Sequence, residues 1–545
     1  MNKTRRILVT SALPYANGSI HLGHILEYIQ TDIWVRYQRM RCAECRYVCG
    51  DDAHGAAITI KAKNCGISPE ALIAKMRKEH LRDFSDFGIS FDDYQSTHSQ
   101  ENKTLCQSFY THLKKVGFIS KKKTPRPYDA RAEIYLSDRQ VRGQCPQCDS
   151  QNQFGDSCEV CGAVYAVSDL RNARSVLTDT EPVMRQTEHL FFNLSLCHID
   201  LVSWLDNNPI QAEVKNKLNE WFYAGLNDWD ITRGAPYFGF EIPGENDKFF
   251  YVWFDALIGY LAGFKRCCDR AGLDFWLVKD EYEAHHFIGK DISYFHCVFW
   301  PAILLGMRFR LPTKINCHGF LTINGKKMSK SRGTFITARN YLSHFDAEYL
   351  RYYFAARLNS KITDIDFNCA DFMVRVNSDL IGKFVNIASR CAKLINAKYK
   401  NKIVTNSEVM AHPLISVVVD AMDCVAELYE NLEYSAAMRA IMELSDKVNK
   451  FIDNEKPWLA SNKEAHIACS VALVAFAQLC LYIKPVLPKL CDKVADLLNV
   501  DMSRWVCPAF TEPAHSIGHF EPLLTRVKKN KIKELTASVA HKDNE

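Results

Sequence analysis

The apolar run Ile7-Leu8-Val9, the break at Pro14, Asn17 and Gly18, and the spacing of Ile25, Ile29, Ile33 and Tyr37 leave few ways for this region to fold. The run reads as a buried parallel strand. The break reads as a loop. From His24 onward the periodicity is helical. A second short strand, Tyr47-Val48-Cys49, ends at Asp51-Asp52. A β-loop-α-β unit of this kind belongs to doubly wound sheets, where nucleotides lie at the carboxyl ends of the strands over the next helix amino terminus. That terminus presents unpaired N–H groups and a partial positive charge. Gly23 lets a ligand approach the backbone, and His21 and His24 can donate to phosphate oxygens. An isolated His-x-x-His would read as packing or surface polarity.

About 300 residues later comes Lys327-Met328-Ser329-Lys330-Ser331. Alone it would read as a solvated loop. Behind the strand–loop–helix start it points to chemistry on ATP, with mobile ammonium groups for a leaving pyrophosphate. His318-Gly319-Phe320-Leu321 leads into Asn324-Gly325, a hairpin signal. The lysines then fall on a flexible loop suited to closing over a nucleotide.

At 545 residues, three or so domains are expected, and 47% hydrophobic with 24% charged residues is ordinary for a globular protein. The net charge of +5 permits an RNA partner without requiring one. No run of 18 or more apolar residues is evident, so no membrane span is expected. Lys3-Thr4-Arg5-Arg6 before Ile7-Leu8-Val9 mimics a secretion signal, but the apolar stretch is short and Pro14 interrupts it, so none is expected. The 21 cysteines are scattered, which suits reduced thiols in the cytoplasm better than a disulfide framework.

One cysteine group stands apart. Cys145-Pro-Gln-Cys148 and Cys158-Glu-Val-Cys161 are two knuckles, each aiming two thiolates at one point. Together they predict a closed, structural Zn²⁺ site. Cys42-x-x-Cys45 has no matching second pair and reads as buried free thiols.

Asp52, at the end of the second strand, could hold a cationic group or cap the next helix. The segments from Phe249 to Ala256 and from Phe287 to His296 are dense in aromatic residues. Such density usually means core. It also suits a pocket for an unbranched thioether, since sulfur is attracted to aromatic rings. Residue chemistry alone does not choose between these.

From about Asp366 the pattern is helical. Leu380, Phe384, Ile387, Cys391 and Leu394 form one apolar stripe. Asn386 and Arg390, four apart, share another face, and Pro457 stops a later helix before Trp458. Asparagine, arginine and tryptophan suit single-stranded RNA; a solvated face and a core plug are the plainer readings. The basic tail after Glu521 reads as a solvated helix or frayed end, or an auxiliary RNA contact.

His21-Leu22-Gly23-His24 and Lys327-Met328-Ser329-Lys330-Ser331 resemble the two signatures of class I aminoacyl-tRNA synthetases. From about Ile7 to Leu490 the chain is similar to the methionine-specific family within them. The resemblance implies an α/β fold: a Rossmann-like parallel-sheet catalytic domain with a zinc-knuckle connective insertion, then an all-α helical-bundle anticodon-binding domain. The expected divisions are 1–115 and 236–325 for the catalytic halves, 116–235 for the insertion, 326–365 for the signature loop and stem-contact region, 366–520 for the bundle and 521–545 for the tail. It implies a catalytic set of His21, His24, Lys327 and Lys330. ATP would meet Tyr15, His21, Gly23, His24, Gly289, Asp291, Leu321 and Lys330. Methionine would meet Ala12, Leu13, Tyr15, Asp52, Trp253, Ala256, Tyr260, Ile292, Phe295 and His296. Leu257 stands where proline is common in the family. One structural Zn²⁺ would be held by Cys145, Cys148, Cys158 and Cys161, and Mg²⁺ would accompany ATP. Asn386, Arg390 and Trp458 match the readers of a CAU anticodon.

The implied activity is ATP-dependent attachment of L-methionine to tRNA(Met), initiator and elongator, by a cytoplasmic monomer. The rivals are another class I synthetase and a zinc-ribbon RNA-binding module without catalysis. Intact His21, His24, Lys330 and Asp52 count against the second.

Overall fold

The computed structural model describes residues 4–137, 140–155, 158, 160–161, 163, 165, 167–208, 210–328 and 335–540, with backbone alone at 327 and 538–540. Its centre is a five-stranded parallel sheet. The strands are β1 (Arg6–Ser11), β2 (Glu44–Asp51), β3 (Asp93–Ser96), β4 (Glu283–Gly289) and β5 (Lys314–His318), in the order β5-β4-β1-β2-β3. Ile7 lies opposite Cys45 on one side and Glu283 on the other. β1 is therefore covered on both edges and both faces, and its Ile7-Leu8-Val9 run is buried. The strand order reverses between β1 and β4, and the crevice at such a reversal is where α/β sheets bind ligands.

Helix α1 (Leu22–Met40) follows the first loop. Ile25, Ile29, Ile33 and Tyr37 face inward as expected, but Glu27, Gln30, Asp32 and Gln38 are buried as well. The cause is a second covering layer. Helix α1 rests on the sheet on one side and on later helices, including α3 (Ala347–Ala355), on the other. Arg351 of α3 is 1% exposed and reaches Asp32 at 2.7 Å, with Arg36 on the same carboxylate at 2.7 Å. Its remaining N–H groups donate to the Val486, Pro485 and Phe87 carbonyls.

Between the two halves of the sheet, antiparallel strands Ile119–Asp129 and Val183–Phe192 form a long ribbon, from Ile119 opposite Phe192 to Tyr128 opposite Val183. A three-stranded sheet of Gln153–Phe154, Val141–Gln144 and Arg171–Ser175 carries the cysteine knuckles. Helix α2 (Val252–Arg270) returns the chain to the core, with Leu257 buried inside it.

Beyond Cys369 the chain is largely helical. The apolar stripe from Leu380 to Cys391 is buried. Its first part is not a plain α-helix, because Val376–Val385 is wound as a wider π-helix before α4 (Asn386–Lys398). Helices α5 (Tyr434–Glu455), α6 (Asn462–Ile483) and α7 (Pro488–Leu498) complete the bundle. Helix α6 is long and apolar enough to cross a membrane by length and composition, yet 89% of its most apolar window is buried among the surrounding helices. It is hydrophobic all round because it is the bundle's central helix.

The tail is also better anchored than its composition suggests. Asn377 exchanges two hydrogen bonds with the Val527 backbone, at 2.8 and 2.9 Å. Tyr349 donates to the Thr525 carbonyl, and Leu535 of the last helix is buried.

Candidate active site

The loop after β1 is pinned to the end of β2. Asp52 N–H donates to the Pro14 carbonyl, and Ala16 N–H to the Asp52 carbonyl. His21 then caps α1: its Nδ1 accepts from the N–H groups of Gly23 and His24, at 3.1 and 3.4 Å. His24 Nδ1 reciprocates, accepting from His21 N–H at 3.3 Å. An Nδ1 that accepts carries no proton, so each neutral ring bears its proton on Nε2. The two rings stack at 3.7 Å. Burial, and then His21, holds His24 well below its ordinary pKa, in the neutral form. The capping therefore selects the tautomer that leaves an N–H on the far side of each ring.

These groups line a cavity of about 530 Å³ at the switch point. Of the residues expected from sequence, Ala12, Leu13, Tyr15, His21, Gly23, His24, Asp52, Trp253, Gly289, Asp291, Ile292 and Leu321 line it. They come from the carboxyl ends of β1, β2, β4 and β5 and from the starts of α1 and α2. Asp52 Oδ1 is buried and has no hydrogen-bond partner. Burial, with Asp255 next, pushes the Asp52 carboxyl well above the usual range.

Ala256, Tyr260, Phe295 and His296 stand behind that lining. Trp253 stacks on Phe295 at 3.9 Å with the planes 7° apart. His296 Nδ1 donates to the Ile292 carbonyl at 3.1 Å, so its Nε2 accepts from the Tyr260 hydroxyl at 2.9 Å. Burial lowers His296 to about 4, so it stays neutral. These four brace the wall that Trp253 and Ile292 present to the cavity.

The hairpin at Asn324-Gly325 is formed, both residues at positive φ, with Thr322 opposite Lys327. Lys327 is placed by its backbone; Ser329, Lys330 and Ser331 lie outside the described residues. Past the loop, Leu22 N–H donates to the Ile336 carbonyl and Ala338 N–H to the Ile20 carbonyl, which tie the two signatures together.

Sequence reasoning missed Glu27, Tyr28 and His318 as site residues, and all three line the cavity. Glu27 accepts from Ala12 N–H at 2.7 Å, and Tyr28 donates to the Ala12 carbonyl at 2.6 Å. His318 places Nε2 3.0 Å from Glu27 and Nδ1 2.7 Å from the Gly319 carbonyl. Burial alone would lower His318, but the Glu27 contact outweighs it and raises the net pKa. One signal was available: Glu27 lies three residues past His24, on the same helix face.

Away from the cavity, Cys145, Cys148, Cys158 and Cys161 bring all four sulfurs within 4.8 Å of one another. The Cys145–Cys161 and Cys148–Cys158 separations are 3.8 and 3.6 Å. Four thiolates ~2.3 Å from a tetrahedral zinc lie ~3.8 Å apart, so the set fits Zn²⁺. N–H groups of Gln147 and Cys161 point at Cys145 and Cys158 sulfurs, as a thiolate site requires. Among the described residues no second cluster of this kind occurs, and Cys42 and Cys45 remain single thiols; Cys45 is buried as expected, but Cys42, at the turn after α1, is exposed.

In the bundle, the Arg390 guanidinium lies 4.9 Å over the Trp458 ring and 2.5 Å from Asp453. Asn386, one turn earlier, lines a separate groove with Ser389, Lys393 and Arg526. Trp458 is 48% exposed, which removes the core-plug reading.

The family described as "tRNA synthetases class I (M)" matches residues 7–392. A methionine–tRNA ligase of Vesicomyosocius okutanii is 48% identical over 540 residues, spanning 98% of this chain and 99% of that protein. Two structures of Mycobacterium tuberculosis methionyl-tRNA synthetase with methionyl-adenylate share the fold. Their TM-scores are 0.77 and 0.78 at 24% and 23% identity, covering 95% of this chain and 99% and 100% of theirs. With its switch-point cavity, its capped histidine pair and its four-cysteine knuckle, the chain belongs to the methionine–tRNA ligase family of class I aminoacyl-tRNA synthetases.

Proposed function

We infer that this chain attaches L-methionine to tRNA in an ATP-dependent reaction that passes through methionyl-adenylate. The observation that carries the reading is the shared cavity: the unpartnered Asp52 carboxylate oxygen, the Trp253 face and the His21–His24 pair open onto one space. Methionine would lie with its ammonium on Asp52 and its thioether toward Trp253. ATP would lie over the start of α1, against Gly23, Gly289, Asp291 and Leu321, with its phosphates toward the His21 and His24 Nε2–H groups.

The methionine carboxylate then attacks the α-phosphorus in line, and pyrophosphate leaves. The chain positions reactants and stabilises charge, without a covalent protein nucleophile. Lys327 and Lys330 are the cations for the leaving group; Mg²⁺ bound with ATP would supply further neutralisation of phosphate charge. In the second step the terminal ribose hydroxyl of tRNA(Met) attacks the adenylate carbonyl, the acyl–phosphate bond breaks, and AMP leaves as the hydroxyl gives up its proton.

Asn386, Arg390 and Trp458 are our proposal for the anticodon contact, supported by the exposed Arg390–Trp458 stack. One zinc on the four cysteines closes the knuckle of the 116–235 insertion. Within 1–115 and 236–325 lie the strands of the parallel sheet, and 366–520 holds the bundle. We further propose a cytoplasmic monomer, which sedimentation velocity would check.

The test is amino-acid-dependent ATP–pyrophosphate exchange across the twenty standard amino acids. Exchange with methionine alone, lost in Asp52→Ala, is expected. Exchange with another amino acid would discard the pocket assignment. No exchange from folded, zinc-loaded chain would reject the enzyme reading.

A further inference from the structure

One helix outside the cavity lining holds both signature segments from the same side. It runs from Pro69 to Asp86, opened by the Ser68 cap and by Pro69 in its first turn. Near its end His80 and Asp83, three apart on one face, have no exposed surface. His80 Nδ1 lies 2.6 Å from Oδ1 of Asp51, and its Nε2 lies 2.8 Å from the Gly18 carbonyl. A carboxylate and a carbonyl only accept, so both ring nitrogens carry protons and the ring is an imidazolium. The Tyr94 hydroxyl donates to the same Asp51 oxygen. Asp83 accepts from Nε of Arg339 at 3.0 Å, and Asp86 meets the same guanidinium at 2.7 Å.

Gly18 and Arg339 stand at the same end of a short paired segment. Ala338 N–H donates to the Ile20 carbonyl and Leu22 N–H to the Ile336 carbonyl, with His21 opposite Thr337. The two stretches run antiparallel, so one end leads into α1 and back toward the second signature. At the other end both stretches meet the helix, the first through Gly18 and the second through Arg339.

The loop after β1 thus has two separate anchors. Its methionine side, Pro14 to Ala16, is pinned by the backbone of Asp52. Its ATP side is pinned at Gly18 by the side chain of the residue before, Asp51, acting through His80. An apolar side chain would fill the place of His80 at lower cost than a buried ion. What the imidazolium adds is direction, one N–H aimed at one carbonyl, three residues before His21.

We propose that His80 is a positioning residue for ATP: by fixing the Gly18 carbonyl to helix Pro69–Asp86, it sets where His21 stands against the phosphates, while Arg339 ties the second signature to the same helix. This rests on the reading of the cavity given above.

The test uses the full, zinc-loaded chain. Methionine affinity is measured by isothermal titration, and kcat and KM for ATP by pyrophosphate exchange at saturating methionine. The variants are His80→Asn, His80→Gln and Arg339→Gln. Asparagine places its amide near Nδ1 and keeps a donor for Asp51. Glutamine places its amide near Nε2 and keeps a donor for Gly18. The expected result is that His80→Asn lowers kcat/KM for ATP about tenfold through a small misplacement of His21, while methionine affinity stays within about twofold. His80→Gln should stay within about threefold of the parent, because the loop contact survives.

Equal losses for methionine and ATP would mark a merely structural role and overturn the proposal. So would His80→Gln no better than His80→Asn, since pairing with Asp51 would then be what matters. If either His80 variant does not fold, Arg339→Gln decides, because Asp83 keeps its contact to Arg82 at 3.1 Å in that variant. A loss of about threefold or more in kcat/KM for ATP at unchanged methionine affinity supports the proposal, and parent-like use of ATP overturns it. A parent chain without methionine-dependent exchange would remove the cavity reading and this inference with it. An active parent beside an unaffected His80→Asn would overturn the inference alone.

Discussion

Met328 lies over Gly23, so close that a Cβ placed on Gly23 would meet the Met328 methyl at 2.5 Å and the His21 ring at 3.0 Å. The two signatures, about 300 residues apart in sequence, are therefore in contact at the one position without a side chain.

Gly23→Ala tests that contact. Alanine suits the helix start, so stability should change by less than ~1 kcal/mol. The added methyl displaces Met328 and tilts the His21 ring. A misplacement of this size is expected to lower kcat/KM for ATP by roughly 10²-fold, read by pyrophosphate exchange at saturating methionine.

His80 gives a pH dependence with a definite sign. Its Nδ1 lies 2.6 Å from Asp51 and its Nε2 2.8 Å from the Gly18 carbonyl. Burial opposes its protonation, but Asp51 outweighs burial and the pKa is raised. The folded chain binds this proton more tightly than the unfolded one. The added stability is complete below about pH 6.5 and is lost as pH rises through the folded value. Denaturant unfolding of parent and His80→Asn should therefore show a difference that shrinks steadily from pH 6 toward alkaline pH.

Arg351→Met should be costly. It strips Asp32 of a buried partner and leaves the Val486 and Phe87 carbonyls without their donor. Breaking such a pair costs ~3–5 kcal/mol. Asp32→Asn in the same chain should return part of that loss, and urea denaturation of both variants measures it.

The metal prediction is stoichiometric. One zinc per chain is expected by elemental analysis. Cys148→Ser should lose it, and Cys42→Ser should keep it. Chelation should lower the melting temperature, since zinc bound only by the folded knuckle stabilises it.

Trp458→Ala should separate the two steps of the reaction. Loss of one stacked base is worth ~1–3 kcal/mol, a rise in KM for tRNA of roughly ten- to a hundredfold. Pyrophosphate exchange without tRNA should not change.

What was legible in the sequence is what neighbouring residues determine among themselves. Ile7–Val9 and the loop to His24 announce strand and helix, Asn324-Gly325 closes its hairpin, and two Cys-x-x-Cys pairs converge. What was not legible depends on distant partners. Glu27 drew no notice because its partner His318 lies 291 residues on. The buried His54 likewise meets its partner Asp255 from 201 residues away. The apolar face of α1 was visible, but not its burial on the opposite side, because that side is covered by helices whose own patterns do not say what they cover. Lys330, the residue most expected in the chemistry, lies outside the described residues.

That double burial of α1 has a consequence for how the molecule can be divided. The recognisable family segment stops at residue 392, yet one continuous core runs from Ile7 through α1 and α6 to Leu535. The far end of α1 is tied in as well, since Met40 accepts a hydrogen bond from Trp505 N–H. A cut at the family boundary would bare a flank of the helix that carries His24. The ATP-handling part is thus not a detachable cassette but one wall of a shared building, and it cannot be inherited, expressed or exchanged without the helices that lean on it.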